Sequence, residues 1–140
     1  MATDANSESC QRVGGEESAL RDDPLDIFHL RRFTLGDRRL EIEILNLFID
    51  QAPLTIAALQ NARNDHDWLN AAHTLKGSAR AVGAWRLAEL AERAERLGTI
   101  SDRAACERTL RHLEKAAEEA RDYIAALGEP DELAGAKDIV

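Results

Sequence analysis

The chain has 140 residues and a formal net charge of −8 at pH 7, which fits one domain with a single modest core and argues against nucleic acid, whose phosphates demand a basic surface. Hydrophobic residues make up 44% but aromatics only 4%, so the core must be built from Leu, Ile, Val and Ala, which suits helix-on-helix packing. No consecutive apolar run approaches the roughly 18 residues of a membrane span and no basic-then-apolar leader opens the chain, so the expectation is a cytoplasmic protein with no membrane partner.

Residues 1–21 are rich in Ser, Glu, Gly, Asn and Asp, have no apolar period, and read as a disordered leader. Asp23-Pro24 then offers a cap and a first-turn proline for a short helix over about residues 24–33. Gly36 is expected to end it and Asp37 to cap the next. That second helix, over about 38–63, repeats apolar residues at Ile42, Leu45, Ile49, Ala52, Ile56 and Leu59, with a second stripe of Leu40, Ile44 and Leu47. So wide an apolar arc needs cover on two sides, and the short N-terminal helix is expected to supply one of them. Pro53 should kink this helix or split it. Asn64-Asp65 makes a turn, a helix follows over about 66–82, and Gly83 breaks it. Another, over about 84–97, buries Leu87, Leu90, Ala91, Ala94 and Leu97 and stops at Gly98. Ser101 is expected to cap the last helix, about 102–127, whose stripe is Cys106, Leu110, Leu113, Ala117, Ala120, Ile124 and Leu127. Gly128 and Pro130 end it and leave a short polar tail over 129–140. Short turns between long amphipathic helices predict an all-α domain over 22–128: an antiparallel up-down four-helix bundle with a short additional N-terminal helix.

In the helix over 66–82, Trp68, Ala72, Leu75, Ala79 and Val82 fall on one core-facing stripe. His73 then sits about 140° from the centre of that stripe, Arg80 about 120°, and Gly77 nearly opposite it. The imidazole therefore points at solvent, flanked by Lys76 and Arg80. Gly77 is the anomaly, since an exposed mid-helix glycine costs about 1 kcal/mol relative to alanine and no turn is needed there. Helical side chains lean toward the N-terminus, so a side chain at position 77 would lie over His73. A bare position keeps the imidazole open to something large.

The stretch Ala72-His73-Thr74-Leu75-Lys76-Gly77-Ser78, running on to Gly83, resembles the motif of histidine-containing phosphotransfer domains. These are helical modules whose exposed histidine relays a phosphoryl group between receiver-domain aspartates. The resemblance extends from about Leu25 to Gly98 and takes in Leu35-Gly36-Asp37, Phe48, Pro53, Asp65 and Leu87-Ala88. It implies that His73 is the phospho-accepting nucleophile and that the partners are receiver domains of hybrid histidine kinases and response regulators. An imidazole nitrogen is a good nucleophile when neutral, and Lys76, one turn on, offers a compact charge for the phosphoryl oxygens. Gly77 would give steric access. The docking surface would comprise Leu69, Asn70, Lys76, Gly77 and Arg80, completed by apolar edges of adjacent helices. No cofactor of its own is expected, since the receiver partner would bring the divalent metal. No phosphate loop is present, so neither ATP binding nor kinase activity is expected, and the protein would act as a monomer.

If the chain reverses at Gly83, His73 lies opposite about residue 93, which makes Glu92, Glu95 and Arg96 the nearest polar candidates to bond the second ring nitrogen. Several family members place a glutamine where this chain has Glu95. A carboxylate there would hold the ring's tautomer and would also repel an incoming phosphoryl group. Ser78 reads as a hydroxyl bonded back to the Thr74 carbonyl, and Thr74 as helix surface. His66 shares a stripe with His73 but lies about 10 Å away, too far to chelate one metal. His29 and His112 read as surface residues, Cys106 as a small buried hydrophobe, Trp68 and Trp85 as core or boundary anchors, and no metal site is predicted. Two other readings stay open: the phospho-accepting domain of a chemotaxis-type histidine kinase, and a phosphate-independent helical adaptor that binds a partner helix around His73. An adaptor has no need of Gly77.

Overall fold

The computed structural model describes residues 23–127, and every regular element among them is a helix: α1 (Ile27–Thr34), α2 (Arg38–Gln60), α3 (Asp65–Val82), α4 (Trp85–Leu97) and α5 (Arg103–Leu127). The expected leader with Cys10, the tail, and the stop signals Gly128 and Pro130 lie outside the described residues.

Short polar side chains start most of these helices by accepting from an otherwise unpaired first-turn N–H. Asp37 Oδ1 accepts from Leu40 N at 3.1 Å and Asn64 Oδ1 from Asp67 N at 2.8 Å. At α1 the cap is Asp26, which accepts from His29 N at 3.2 Å. Asp23-Pro24 therefore lies ahead of the helix, and Leu25 between them and the cap is a core residue only 1% exposed. At α5 the cap is Asp102, whose Oδ1 takes the Ala105 N–H at 3.1 Å, in place of the expected Ser101. Gly83 and Gly98 end α3 and α4 with φ of 83° and 64°, the left-handed region that glycine enters without a side-chain clash.

The four long helices each pack against two others, α2 against α3 and α5, and α4 against the same pair, a pattern that fits a four-helix bundle. The Trp68, Ala72, Leu75, Ala79 and Val82 stripe is buried throughout, and Leu45, Phe48, Ala52, Ile56, Leu87, Ala91, Leu113 and Ile124 meet it. Trp68 donates its indole N–H to the Ala94 carbonyl at 2.7 Å inside the core, which pins α3 to α4. α2 runs unbroken past Pro53, which sits on its exposed side. By length and composition α2 could cross a membrane, a feature the count of consecutive apolar residues misses. Its buried side chains Leu45, Phe48, Ala52, Ile56 and Leu59 are core contacts of the folded domain.

α1 does not cover the second α2 stripe as expected. Leu40 and Leu47 are exposed, at 39% and 62%, and only Ile44 is packed against the core. An eight-residue helix spans about 12 Å, and this one is anchored at both ends away from that stripe. At its C-terminal end Thr34 Oγ1 donates to the buried Glu41 carboxylate at 2.7 Å, with Arg31 Nε 3.5 Å from the same oxygen. At its N-terminal end Asp26 N donates to Gly83 O at 2.8 Å, and Trp85 Nε1 donates to Asp26 Oδ2 at 2.9 Å. His29, read as a surface residue, is half-buried edge-on between Trp85 and Phe33, with centroid separations of 4.7 and 5.3 Å.

Candidate functional site

His73 lies on the middle of α3, its side chain 72% exposed, on the seam between α3 and α4. Its neighbours in sequence explain why. Ala72 and Leu75 are fully buried, and His73 lies about 140° round the helix from the centre of their stripe, which turns it to solvent. Across the seam Glu95 reaches back, its Oε2 2.9 Å from His73 Nδ1. Its other oxygen takes a short hydrogen bond from Lys76 Nζ. Glu95 thus bridges the two α3 side chains. The Lys76 bond, then the His73 bond, hold its carboxyl below the usual carboxylate range against an opposing desolvation cost. An ionised carboxylate only accepts, so the proton between the two groups belongs to Nδ1, and in the neutral form of such a ring Nε2 is the nitrogen that keeps its lone pair.

Of the three polar candidates across the seam, the structure brings Glu95 to the imidazole and gives the other two to different work. Glu92 takes Arg80 at 3.6 Å and Arg96 at 3.9 Å, exposed pairs of little energetic weight. Lys76 differs from the expected free ridge residue. Its side chain is only 16% exposed, because the carboxylate draws the ammonium down into the seam. Leu69, Asn70, Gly77 and Arg80 are exposed as expected. Asn70 has its amide nitrogen 3.2 Å from His66 Nε2. A Cβ built on Gly77 meets nothing within 4 Å, so the glycine answers no packing demand. Ser78 Oγ donates to Leu75 O at 3.2 Å, one residue nearer in sequence than the expected Thr74 carbonyl. Beside this ridge runs a shallow groove between α2 and α3, lined by Leu54, Ala58, Asn70 and Thr74. Leu54 was not singled out from sequence, yet it is 63% exposed; an apolar residue off the α2 core stripe was the available signal. Cys106 is buried, and burial pushes its thiol up, consistent with a packing role.

The seam thus sets an exposed imidazole, a lysine ammonium and an acidic side chain side by side on an all-helical domain. Residues 43–127, more than half of the chain, match the model of the Hpt domain, and the chain belongs to the histidine-containing phosphotransfer family. The work of that family is histidine phosphotransfer in phosphorelay signalling; its modules interact with receiver domains, lack kinase and ATP-binding activity of their own, and are typically soluble. The match takes in α5, which lies beyond the resemblance read from sequence, and begins within α2, so α1 lies outside it. No curated protein and no solved structure matches the chain.

Proposed function

We propose that this chain is a phosphorelay intermediate that accepts a phosphoryl group from a receiver-domain aspartate onto His73 and passes it to another receiver domain. The observation that carries the reading is the commitment of Nδ1 to Glu95, which leaves Nε2 of an exposed imidazole as the available nucleophile. Nε2 attacks phosphorus in line with the departing aspartyl oxygen, and the pair of the breaking P–O bond returns to the receiver's carboxylate. Little further is needed from this side, since phosphoryl transfer depends mainly on positioning and charge. Lys76 lies one turn from His73 and supplies positive charge to the phosphoryl oxygens, while the receiver brings the divalent metal. Gly77 keeps the approach clear.

The receiver would dock along Leu69, Asn70, Gly77 and Arg80, with Lys76 reaching up from the seam and Leu54 and Leu47 extending the apolar margin. The domain occupies about residues 22–128, its four long helices alternating in direction as short turns favour, and works as a cytoplasmic monomer without ATP or kinase activity. Its net charge of −8 disfavours nucleic acid. Incubation with a phosphorylated receiver domain should place an acid-labile, base-stable label on the wild type. The same label on His73→Gln would refute the site assignment.

A further inference from the structure

The group that holds the imidazole here is an ionised carboxylate, and this has a chemical consequence once the ring is phosphorylated. When Nε2 bonds to phosphorus while Nδ1 keeps its proton, the ring becomes a phosphoimidazolium cation. If the N–P bond then breaks, its electron pair returns to Nε2 and the leaving group is a neutral imidazole. If Nδ1 has first lost its proton, the same cleavage must expel an imidazolate, a far poorer leaving group. Whether Nδ1 stays protonated therefore decides how readily the phosphoryl group departs.

The partner of Nδ1 is Glu95 Oε2 at 2.9 Å. The Lys76 hydrogen bond to the other oxygen keeps that carboxylate ionised. Arg80 on α3 and Arg96 on α4 both pair with Glu92 of α4. Among the described residues, Glu95 alone bonds the imidazole. An anion at this distance favours the cationic ring over the neutral one, whereas an amide in its place accepts the same hydrogen bond without the charge.

We propose that the Glu95 carboxylate holds the Nδ1 proton on phosphorylated His73 and so makes this protein a fast-releasing carrier, with a phosphohistidine that is short-lived and quickly handed on. This rests on His73 as the phosphorylated residue, and it makes Glu95 a positioning and charge-tuning residue that does not touch phosphorus. In each release the phosphoryl group passes to a receiver carboxylate or to water, the bond pair stays on Nε2, and the Nδ1 proton stays in place.

The test compares wild type with Glu95→Gln, both loaded with phosphoramidate, which phosphorylates histidine without any partner. His73→Gln, carrying the other three histidines, gives the background to subtract. Decay of the His73 signal in phosphorus NMR is followed from pH 5 to pH 9. At pH 5 both rings are protonated and the two decay rates should converge. Above neutrality Glu95→Gln should decay up to about tenfold more slowly, the effect of moving the midpoint of the profile down by about one pH unit. Equal rates across the range would overturn the proposal. So would a pH-independent difference, which would assign the effect to Lys76, released from Glu95 onto the phosphoryl group. Normal decay behaviour with no acceptance from any phosphorylated receiver would instead refute the relay reading and leave the Glu95 chemistry standing.

Discussion

His73, Gly77 and Glu95 can each be separated from the fold, because none of them fills space in the core. His73→Gln should abolish phosphoryl acceptance and leave helicity and melting nearly unchanged, as expected for a side chain that is mostly in solvent. A melt lowered as far as by a core cavity would contradict that placement. Gly77 sets helix physics against access. With open space around its Cβ position, alanine should stabilise the domain by up to about 1 kcal/mol, or about 4 °C in Tm. Gly77→Gln should stabilise almost as much yet sharply slow phosphotransfer, since its longer side chain leans back over His73; normal transfer would defeat the access argument. Glu95 adds a pH signature. Its carboxyl titrates lower in the folded protein than in the unfolded chain, so its contribution is present above the usual carboxylate value and is lost as pH falls through the lowered one. Urea melts of wild type and Glu95→Gln should therefore differ at pH 7 and converge in acid. The ridge of His73, Gly77 and Arg80 was legible because helical period alone assigns a face. The clamp was legible only as a choice among Glu92, Glu95 and Arg96, because one turn of register across a helix pair depends on the turn at Gly83. That Lys76 would fold down onto Glu95 is a side-chain choice with no periodic signal.

At the scale of elements, regularity of pattern decided what could be read. The α3 stripe is buried at every position, and the ends at Gly83 and Gly98 fall where glycine was expected. Caps move by a residue or more wherever two candidates adjoin. Asp26 and Asp102 displaced Asp23 and Ser101, since any short oxygen-bearing side chain near a helix start can take the role. The placement of α1 was hidden, because its anchors are tertiary: a buried Thr34–Glu41 hydrogen bond and the Asp26 contacts to Gly83 and Trp85. Those contacts predict the opposite behaviour for the second glycine. A Cβ at Gly83 would sit 2.6 Å from Asp26 O, on a residue with φ of +83°. Gly83→Ala should therefore destabilise the domain by about 2 kcal/mol or more, read as a lower urea midpoint, and should shift Trp85 fluorescence as α1 loosens. A midpoint equal to wild type would show that α1 is not held by this turn.

For the molecule as a whole, the fold and the chemistry divide the surface. The core joins the four long helices, and the candidate site is a histidine, a lysine and a glutamate on the α3–α4 seam beside apolar margins on α2. A domain of this kind needs no cavity for substrate, because its substrate arrives attached to another protein. That makes docking the step at which specificity resides. Lys76→Ala should then slow transfer by about 2 to 3 kcal/mol in barrier at saturating receiver, and equal rates there would show that the lysine serves only to hold Glu95. Carriage of phosphate from one receiver to another can be followed in a reconstituted relay. A labelled donor receiver, this protein and a second receiver are mixed, and label on the second receiver is followed with time. Label should pass through the wild-type chain and appear on the second receiver, and His73→Gln should stop it; passage undiminished in His73→Gln, or none through the wild type with its cognate receivers, would contradict the account.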